Sequence, residues 1–406
     1  MMIQCGYFLL ALLSCVSSNS GLRNVFVIWR HGDRSPYQPF ISNPDNWPEG
    51  YSVLTNDGIL QQYNLGLFLR NKYQNFVPDV YNYTNYYIRS SDTDRTLMSA
   101  AANVAGFYSK DPRSTGDFQW RPLPIHTQKS DREYLFSNYY CRRLYKIVED
   151  IYTSSETDKF LDKFSTTISL IKKNLGKINR MDLQYLYDDV LCNKIHKFQI
   201  PSWISPEVEK DLREMSEHFW AQWVDNEEKV SFQTGIFARE FVDHIRKIIK
   251  TGVTTEPIDG HNVEMAKNHI IALSGHDVNI NALMAMFGHK VTMPEYASCI
   301  MVELYGPELP GDLDMYFFNV RYKSGPKDST GELIKLPYCD TTSCPANKVL
   351  AHVEKYAMDK DTYLRRCEMT PSTQMSGSKI AMIVIGTLAG VGIVGVIIYF
   401  GFIRNH

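Results

Sequence analysis

The run Val25-Phe26-Val27-Ile28-Trp29 is β-branched and aromatic and has the length of a buried strand, with Gly32 and Pro36 ending it. Thr55 to Tyr73 reads as a helix, with Leu60, Tyr63 and Leu67 recurring on one side. Tyr86–Arg89 reads as a second strand. Ser91 or Asp92 then caps a helix to about Tyr108, with Ala100, Val104 and Phe107 at helical spacing. His269–Ser274 is a third strand, followed by a helix over Val278 to Phe287 that Gly288 ends. Ile300–Tyr305 and Asp314–Tyr322 pair as a hairpin across Pro307-Glu308-Leu309-Pro310-Gly311. Residues from about Lys110 to Thr255 are mostly helical in pattern, as in Glu207–Val224 and Gly235–Ile249. Strands alternating with helices predict an α/β sheet, whose ligands gather beyond the carboxyl ends of the strands.

The pattern changes at both ends. Residues 1–20 hold the short apolar core Tyr7-Phe8-Leu9-Leu10-Ala11-Leu12-Leu13 and then small residues, which reads as a secretory signal peptide although its start lacks Lys or Arg. Residues 380–403 are continuously apolar and glycine-rich, bounded by Lys379 and Arg404, and long enough to cross a bilayer. Arg404 fits a cytoplasmic flank, which gives a type I single-pass protein with a tail of residues 404–406. Gly386 and Gly390 fit the spacing that lets two such helices approach. A GPI signal also ends in an apolar tail, but the polar spacer before this one is poor, so a true span is preferred. The Ser- and Thr-rich stretch 370–379 is a linker, and Asn82-Tyr83-Thr84 is a glycosylation sequon.

The chain has 406 residues and a net charge of −2, so no bulk attraction to nucleic acid follows. With Cys5 and Cys15 removed in the signal, Cys141, Cys192, Cys299, Cys339, Cys344 and Cys367 remain. An even number in an exported chain suggests disulfides, and six cysteines admit fifteen pairings. Zinc is the competing use, but no C-x-x-C or H-E-x-x-H spacing supports it.

Candidate chemistry sits where the first strand ends, in Arg30-His31-Gly32-Asp33-Arg34-Ser35-Pro36. Two guanidiniums beside an imidazole disfavour its protonation and bind anions, so the neutral ring can attack a bound anion. Those residue types point to phosphoryl transfer. The whole pattern R-H-G-x-R-x-P resembles the histidine acid phosphatases of the prostatic and lysosomal kind. The resemblance continues through Tyr87-Ile88-Arg89-Ser90-Ser91-Asp92-Thr93-Asp94-Arg95-Thr96-Leu97-Met98-Ser99-Ala100 and Leu273-Ser274-Gly275-His276-Asp277, and it spans Asn24 to Cys367.

That resemblance implies a phosphoglycerate-mutase-like mixed sheet flanked by helices, over residues 21–369, with a smaller helical domain inserted at about 110–255. It implies hydrolysis of phosphate monoesters, with His31 as nucleophile forming a phosphohistidine. Arg30, Arg34 and Arg95 would hold the phosphoryl oxygens, His276 would donate a hydrogen bond to one of them, and Asp277 would protonate the leaving group. Read alone, Arg95 would be a surface helix residue paired with Asp92, and His276-Asp277 a helix cap. The resemblance also implies the disulfides Cys141–Cys367, Cys192–Cys299 and Cys339–Cys344, a possible homodimer, and no metal or other cofactor. Arg89, equally close to a strand end, falls outside the implied site. His126, His196, His244 and His352 form no cluster and read as structural or surface residues. Asp92-Thr93-Asp94 reads as a helix start rather than a metal-binding pair.

A protonated Asp277 in the first step predicts an acidic optimum. The competing functions are an inositol-polyphosphate phosphatase or phytase of the same superfamily, and a non-catalytic cell-surface ectodomain on the same scaffold. The short tail lacks the tyrosine-based sorting signal of membrane-spanning lysosomal relatives, which favours the cell surface over the lysosome.

Overall fold

A computed structural model describes residues 21–113, 121–136, 141–252, 269–290 and 293–367. The signal segment, the linker, the apolar span 380–403 and the tail lie outside the described residues. Among those described, no helix is long and apolar enough to cross a membrane.

One mixed sheet organises the chain. Strands β1 (Gly21–Arg30), β2 (Tyr86–Ser90) and β3 (His269–Gly275) run parallel, while β4 (Cys299–Gly306), β5 (Phe317–Lys323) and β6 (Glu332–Ile334) are antiparallel. The order is β2-β3-β1-β4-β5-β6, and β7 (Ser343–Pro345) also pairs with β5. β1 therefore lies at the junction, with parallel partners on one side and the antiparallel meander on the other.

Side chains alternate across β1, so its near-continuous apolar run serves two cores. Val25, Val27 and Trp29 pack under α1 (Asn56–Tyr73) and α2 (Asp94–Phe107). Five helices follow in the chain: α3 (Arg142–Thr153), α4 (Ser155–Leu161), α5 (Ser165–Leu175), α6 (Arg180–Ile195) and α7 (Pro206–Gln222). They share a separate apolar cluster that includes Leu161, Ile171, Leu186, Leu212 and Phe219. The other sheet face, through Phe26 and Ile28, is covered by α8 (Glu227–Thr251), α9 (Asp277–Met286), α10 (Ala346–Glu354) and α11 (Lys360–Arg366). Phe26 meets the α8 rings of Phe241 at 5.0 Å and Phe237 at 6.0 Å, both edge-on.

Three sequence expectations need correction. The buried stripe of α1 is Gly58, Gln62, Leu65, Gly66, Leu69 and Tyr73, while Leu60 is 57% exposed and Tyr63 and Leu67 are half-buried. Backbone contact sets this face: a Cβ on Gly66 would lie 2.0 Å from the Asn103 carbonyl, and one on Gly106 would lie 2.1 Å from that of Tyr63. Neither Ser91 nor Asp92 caps α2; the helix starts at Asp94, and Thr93 occupies the N-cap position.

The third correction concerns disulfides. Cys141–Cys367 joins the start of α3 to the end of α11, and Cys339–Cys344 closes a short loop before α10. Cys192 and Cys299 are buried free thiols instead of a pair. Cys192, on α6, faces the Tyr296 hydroxyl at 3.5 Å, whereas Cys299 packs with Trp29 and Met301 on the sheet face under α1 and α2.

Candidate active site

The register brings the motifs together. Arg30 of β1 lies opposite Gly275 of β3, and Ser274 of β3 lies opposite Ser90 of β2, so all three strands end side by side. Beyond that edge the His31 N–H donates to the Gly275 carbonyl at 2.9 Å, and the Ser91 N–H donates to the Ser274 carbonyl at 3.1 Å. Residues far apart in sequence thus share one edge, at the carboxyl ends of the parallel strands.

His31 is buried, and its Nδ1 sits 2.8 Å from the Gly32 carbonyl. A carbonyl only accepts, so Nδ1 carries the ring proton and the lone pair resides on Nε2. Burial, followed by the charges of Arg95, Arg30 and Arg34 and by His276, holds the imidazole well below the usual histidine range. Burial and the arginines therefore favour the neutral ring over the imidazolium. Gly32 is held by the Ser99 hydroxyl, which accepts its N–H at 3.1 Å. A Cβ there would lie 2.2 Å from the Gly58 carbonyl, so a glycine is required for the loop to pack against α1.

Each arginine is aimed by a fixed partner. Arg30 donates to the Pro294 carbonyl at 2.6 Å, pairs with Asp277 Oδ2 at 2.8 Å and lies 4.2 Å above the Tyr296 ring. Arg34 forms a two-pronged pair with Asp188 at 2.9 and 3.0 Å. Arg95 donates to the Ser52 hydroxyl at 2.9 Å and approaches His276 Nδ1 at 3.3 Å. All three are close enough to depress both His31 and His276.

Because arginine only donates, His276 Nδ1 accepts, and its Nε2–H donates to Ser91 Oγ at 2.8 Å. Burial first, then Arg95, brings its pKa down to about 3 despite the opposing Asp277 carboxylate. Asp277 opens α9, with Oδ1 accepting the Val278 N–H at 2.9 Å. Burial raises its pKa, but Arg30, Arg34, His276 and the Val278 N–H outweigh burial and hold it below the usual carboxylate value.

The structure thus gathers His31, Arg30, Arg34, Arg95, His276 and Asp277 into one site. Arg89 is elsewhere: its guanidinium pairs with both oxygens of buried Glu133 at 2.7 Å and lies against Phe136. His126 stacks on Tyr87, His244 meets Phe26 edge-on, and His352 stacks on Tyr338. His196 differs from its sequence reading, since its Nε2 lies 2.6 Å from Oδ2 of buried Asp33, within the first motif. Sequence reasoning also missed Asp188, Tyr296, Ser91, Ser52 and Ser99. Their signal is spatial: Asp188 and Tyr296 come from α6 and from a loop before β4, and neither carries a motif. Among the described residues, no cluster of His, Cys, Asp and Glu could hold a metal ion.

Residues 21–323 match the histidine phosphatase superfamily (branch 2). The chain is 32% identical over 345 residues to the prostatic acid phosphatase of Bos taurus, covering 80% of this chain and 83% of that protein. It is 30% identical over 386 residues to the lysosomal acid phosphatase of the same species, covering 90% and 85%. Among solved structures it resembles the apo phytase of Hafnia alvei, with a TM-score of 0.62 at 14% identity over 87% of this chain and 99% of that one. It also resembles the Citrobacter braakii phytase, with a TM-score of 0.60 at 15% identity over 85% and 99%. At such identities the structural likeness speaks for the fold alone. With the family match spanning most of the chain and these relatives aligned over nearly all of the folded part, the chain belongs to the histidine phosphatase superfamily, branch 2.

Proposed function

We propose that the protein is an acid phosphatase that hydrolyses phosphate monoesters through a phosphohistidine on His31. The observation that carries this is a buried His31 amid three arginines, its Nδ1–H fixed on the Gly32 carbonyl and its charged form disfavoured by burial and those arginines. The Nε2 lone pair attacks phosphorus and the P–O bond to the leaving group breaks. Asp277 gives its proton to the departing oxygen. Water then attacks the phosphohistidine, Asp277 takes the water proton, and the Nε2–P bond breaks to release phosphate. Arg30, Arg34 and Arg95 balance the charge on the phosphoryl oxygens.

The free site is set against the first step, because Arg30 keeps Asp277 ionised. A bound phosphate ester draws the arginines to its oxygens and adds negative charge, raising the Asp277 pKa. The same charge raises the His276 pKa and lets that ring donate to a phosphate oxygen. An acidic optimum follows from the need for protonated Asp277. A connected site holding His31, Asp277 and all three arginines speaks against the non-catalytic ectodomain.

The proposed unit is 21–369 with a helical insertion at about 110–255, and it stands outside the cell or in a lumen. The support is the signal-like segment 1–20, the apolar span 380–403 and two disulfides, which suit an oxidising compartment. Asn82 is exposed before β2 and open to glycosylation. The cell surface is favoured over the lysosome, and a homodimer is part of the same reading.

The test is hydrolysis of phenyl phosphate by the purified protein from about pH 4 to about 8 with chelator present, beside His31→Ala. Acidic, chelator-resistant activity that disappears with His31→Ala supports the proposal. A folded wild-type protein inactive across that range overturns it.

A further inference from the structure

Next to the phosphate arginines stands an aromatic pair that the hydrolytic steps do not use. Tyr37, one residue beyond the first motif, and Tyr185 of α6 face each other with ring centroids 5.1 Å apart and planes tilted by 34°. Tyr37 is 48% exposed, and Tyr185 is half-buried. An aromatic pair held partly open to solvent, rather than sunk in the core, offers faces to a ligand.

The pair is locked to the phosphate clamp. Asp188 lies one helical turn after Tyr185 on the same face of α6. Its carboxylate accepts both prongs of Arg34 and also the Tyr37 N–H at 3.0 Å. The next residue, Asp189, accepts the N–H groups of Phe40 and Ile41 at 2.6 and 2.8 Å and the Ser42 hydroxyl. Two successive carboxylates therefore bind the 37–42 segment to α6 and fix Tyr37 against Tyr185. Burial, then Tyr37, Asp188, Asp182 and Asp277, push the Tyr185 hydroxyl up to about 12, so it stays a neutral phenol. Through Asp188, which holds both Arg34 and the Tyr37 N–H, the ring pair stands beside the phosphate clamp.

We propose that Tyr37 and Tyr185 wall the leaving-group subsite and favour esters of planar aromatic alcohols over those of small aliphatic ones. The subsite rests on the phosphatase reading above. Asp188 is its positioning residue, coupling the wall to Arg34, so that a phosphoryl group held by the clamp presents its ester oxygen to Asp277 and its ring to the tyrosines. No bond changes at this wall; it acts through ring contact alone.

The experiment measures kcat/KM for phenyl phosphate and for glycerol 2-phosphate with the full chain and with Tyr185→Ala, Tyr37→Ala, Tyr185→Phe and Tyr37→Phe. Comparing the ratio of the two substrates between variants removes the intrinsic advantage of the phenolate as leaving group. Losing one ring contact should lower the phenyl-to-glycerol ratio by roughly three- to tenfold in each alanine variant, while the phenylalanine variants keep the wild-type ratio. If an alanine variant does not fold, the leucine variant at that position decides by the same ratio. A ratio that stays within about twofold of wild type in the alanine variants overturns the subsite alone. Loss of the ratio in the phenylalanine variants also overturns it, because the hydroxyls rather than the rings would then select. Wild-type protein inactive on both esters overturns the phosphatase reading, and the subsite with it.

Discussion

Arg30 and Asp277, 247 positions apart, meet at 2.8 Å through the guanidinium and Oδ2. The contact joins a proposed phosphate-binding group to the proposed proton donor and keeps that donor ionised until an anion arrives. Oxyanion binding should therefore be coupled to proton uptake. Sulfate suits this test because it does not itself titrate near pH 5. Calorimetry of sulfate binding in buffers of different ionisation enthalpy should show uptake of a substantial fraction of a proton, reduced in Asp277→Asn. Equal uptake in the variant would assign the proton to another group.

The proton from Asp277 matters most when the leaving oxygen is strongly basic. Asp277→Asn should lower kcat for glycerol 2-phosphate by roughly 10²- to 10⁴-fold, and for 4-nitrophenyl phosphate by much less. Steady-state kinetics on both esters checks this. Equal losses on the two would remove the general-acid role and leave Asp277 an electrostatic one.

Acid stability carries the cost of the site. His31 and His276 are held uncharged in the folded protein, His276 down to about 3, whereas an unfolded histidine titrates near 6.5. Their folded pKa values are lowered, so protonation favours the unfolded chain. The contribution is whole above about pH 6.5 and is lost as pH falls from there toward the folded values. For His276 the loss amounts to on the order of a few kcal/mol by the end of that window. Thermal melts should show a shallower decline in Tm between about pH 6.5 and about 4 for His276→Asn than for wild type. Sulfate should recover part of the wild-type loss. Parallel wild-type and variant curves would contradict the assignment.

The free cysteines make a direct prediction. Cys192 and Cys299 are buried, and burial pushes both thiols well above the ordinary cysteine range. With its disulfides intact, the folded protein should react with an aromatic disulfide reagent at neither position, and both thiols should appear on denaturation. No thiol from either position after denaturation would restore the Cys192–Cys299 bond expected from the family resemblance.

What the sequence made legible was local. Arg30 and His31 follow a strand whose apolar run is unmistakable, and His276-Asp277 follow another, so their place at strand ends could be read without coordinates. Arg95 needed the family resemblance, because its own surroundings fit an ordinary helical arginine equally well. The partners that aim these groups were hidden, since Asp188 lies in α6 and Tyr296 in a loop, neither with a motif. Nor could the face of α1 be read from apolar periodicity. Gly58 and Gly66 bring the backbone into contact there, and glycine leaves no hydrophobic mark in a sequence. His196 read as unremarkable because its partner, Asp33, occupies a position of the motif that varies.

The central claim is a covalent phosphoryl group on Nε2 of His31. Rapid mixing with excess 4-nitrophenyl phosphate, an alkaline quench and mass spectrometry of the peptide containing His31 tests it directly, because phosphohistidine survives alkali and is lost in acid. The account predicts a phosphate on His31 formed within the first turnover, with a matching burst of nitrophenol if water attack limits the rate, and neither in His31→Ala. Hydrolysis that proceeds with no phosphoryl-enzyme at any mixing time, or a phosphate found on another residue, would contradict it.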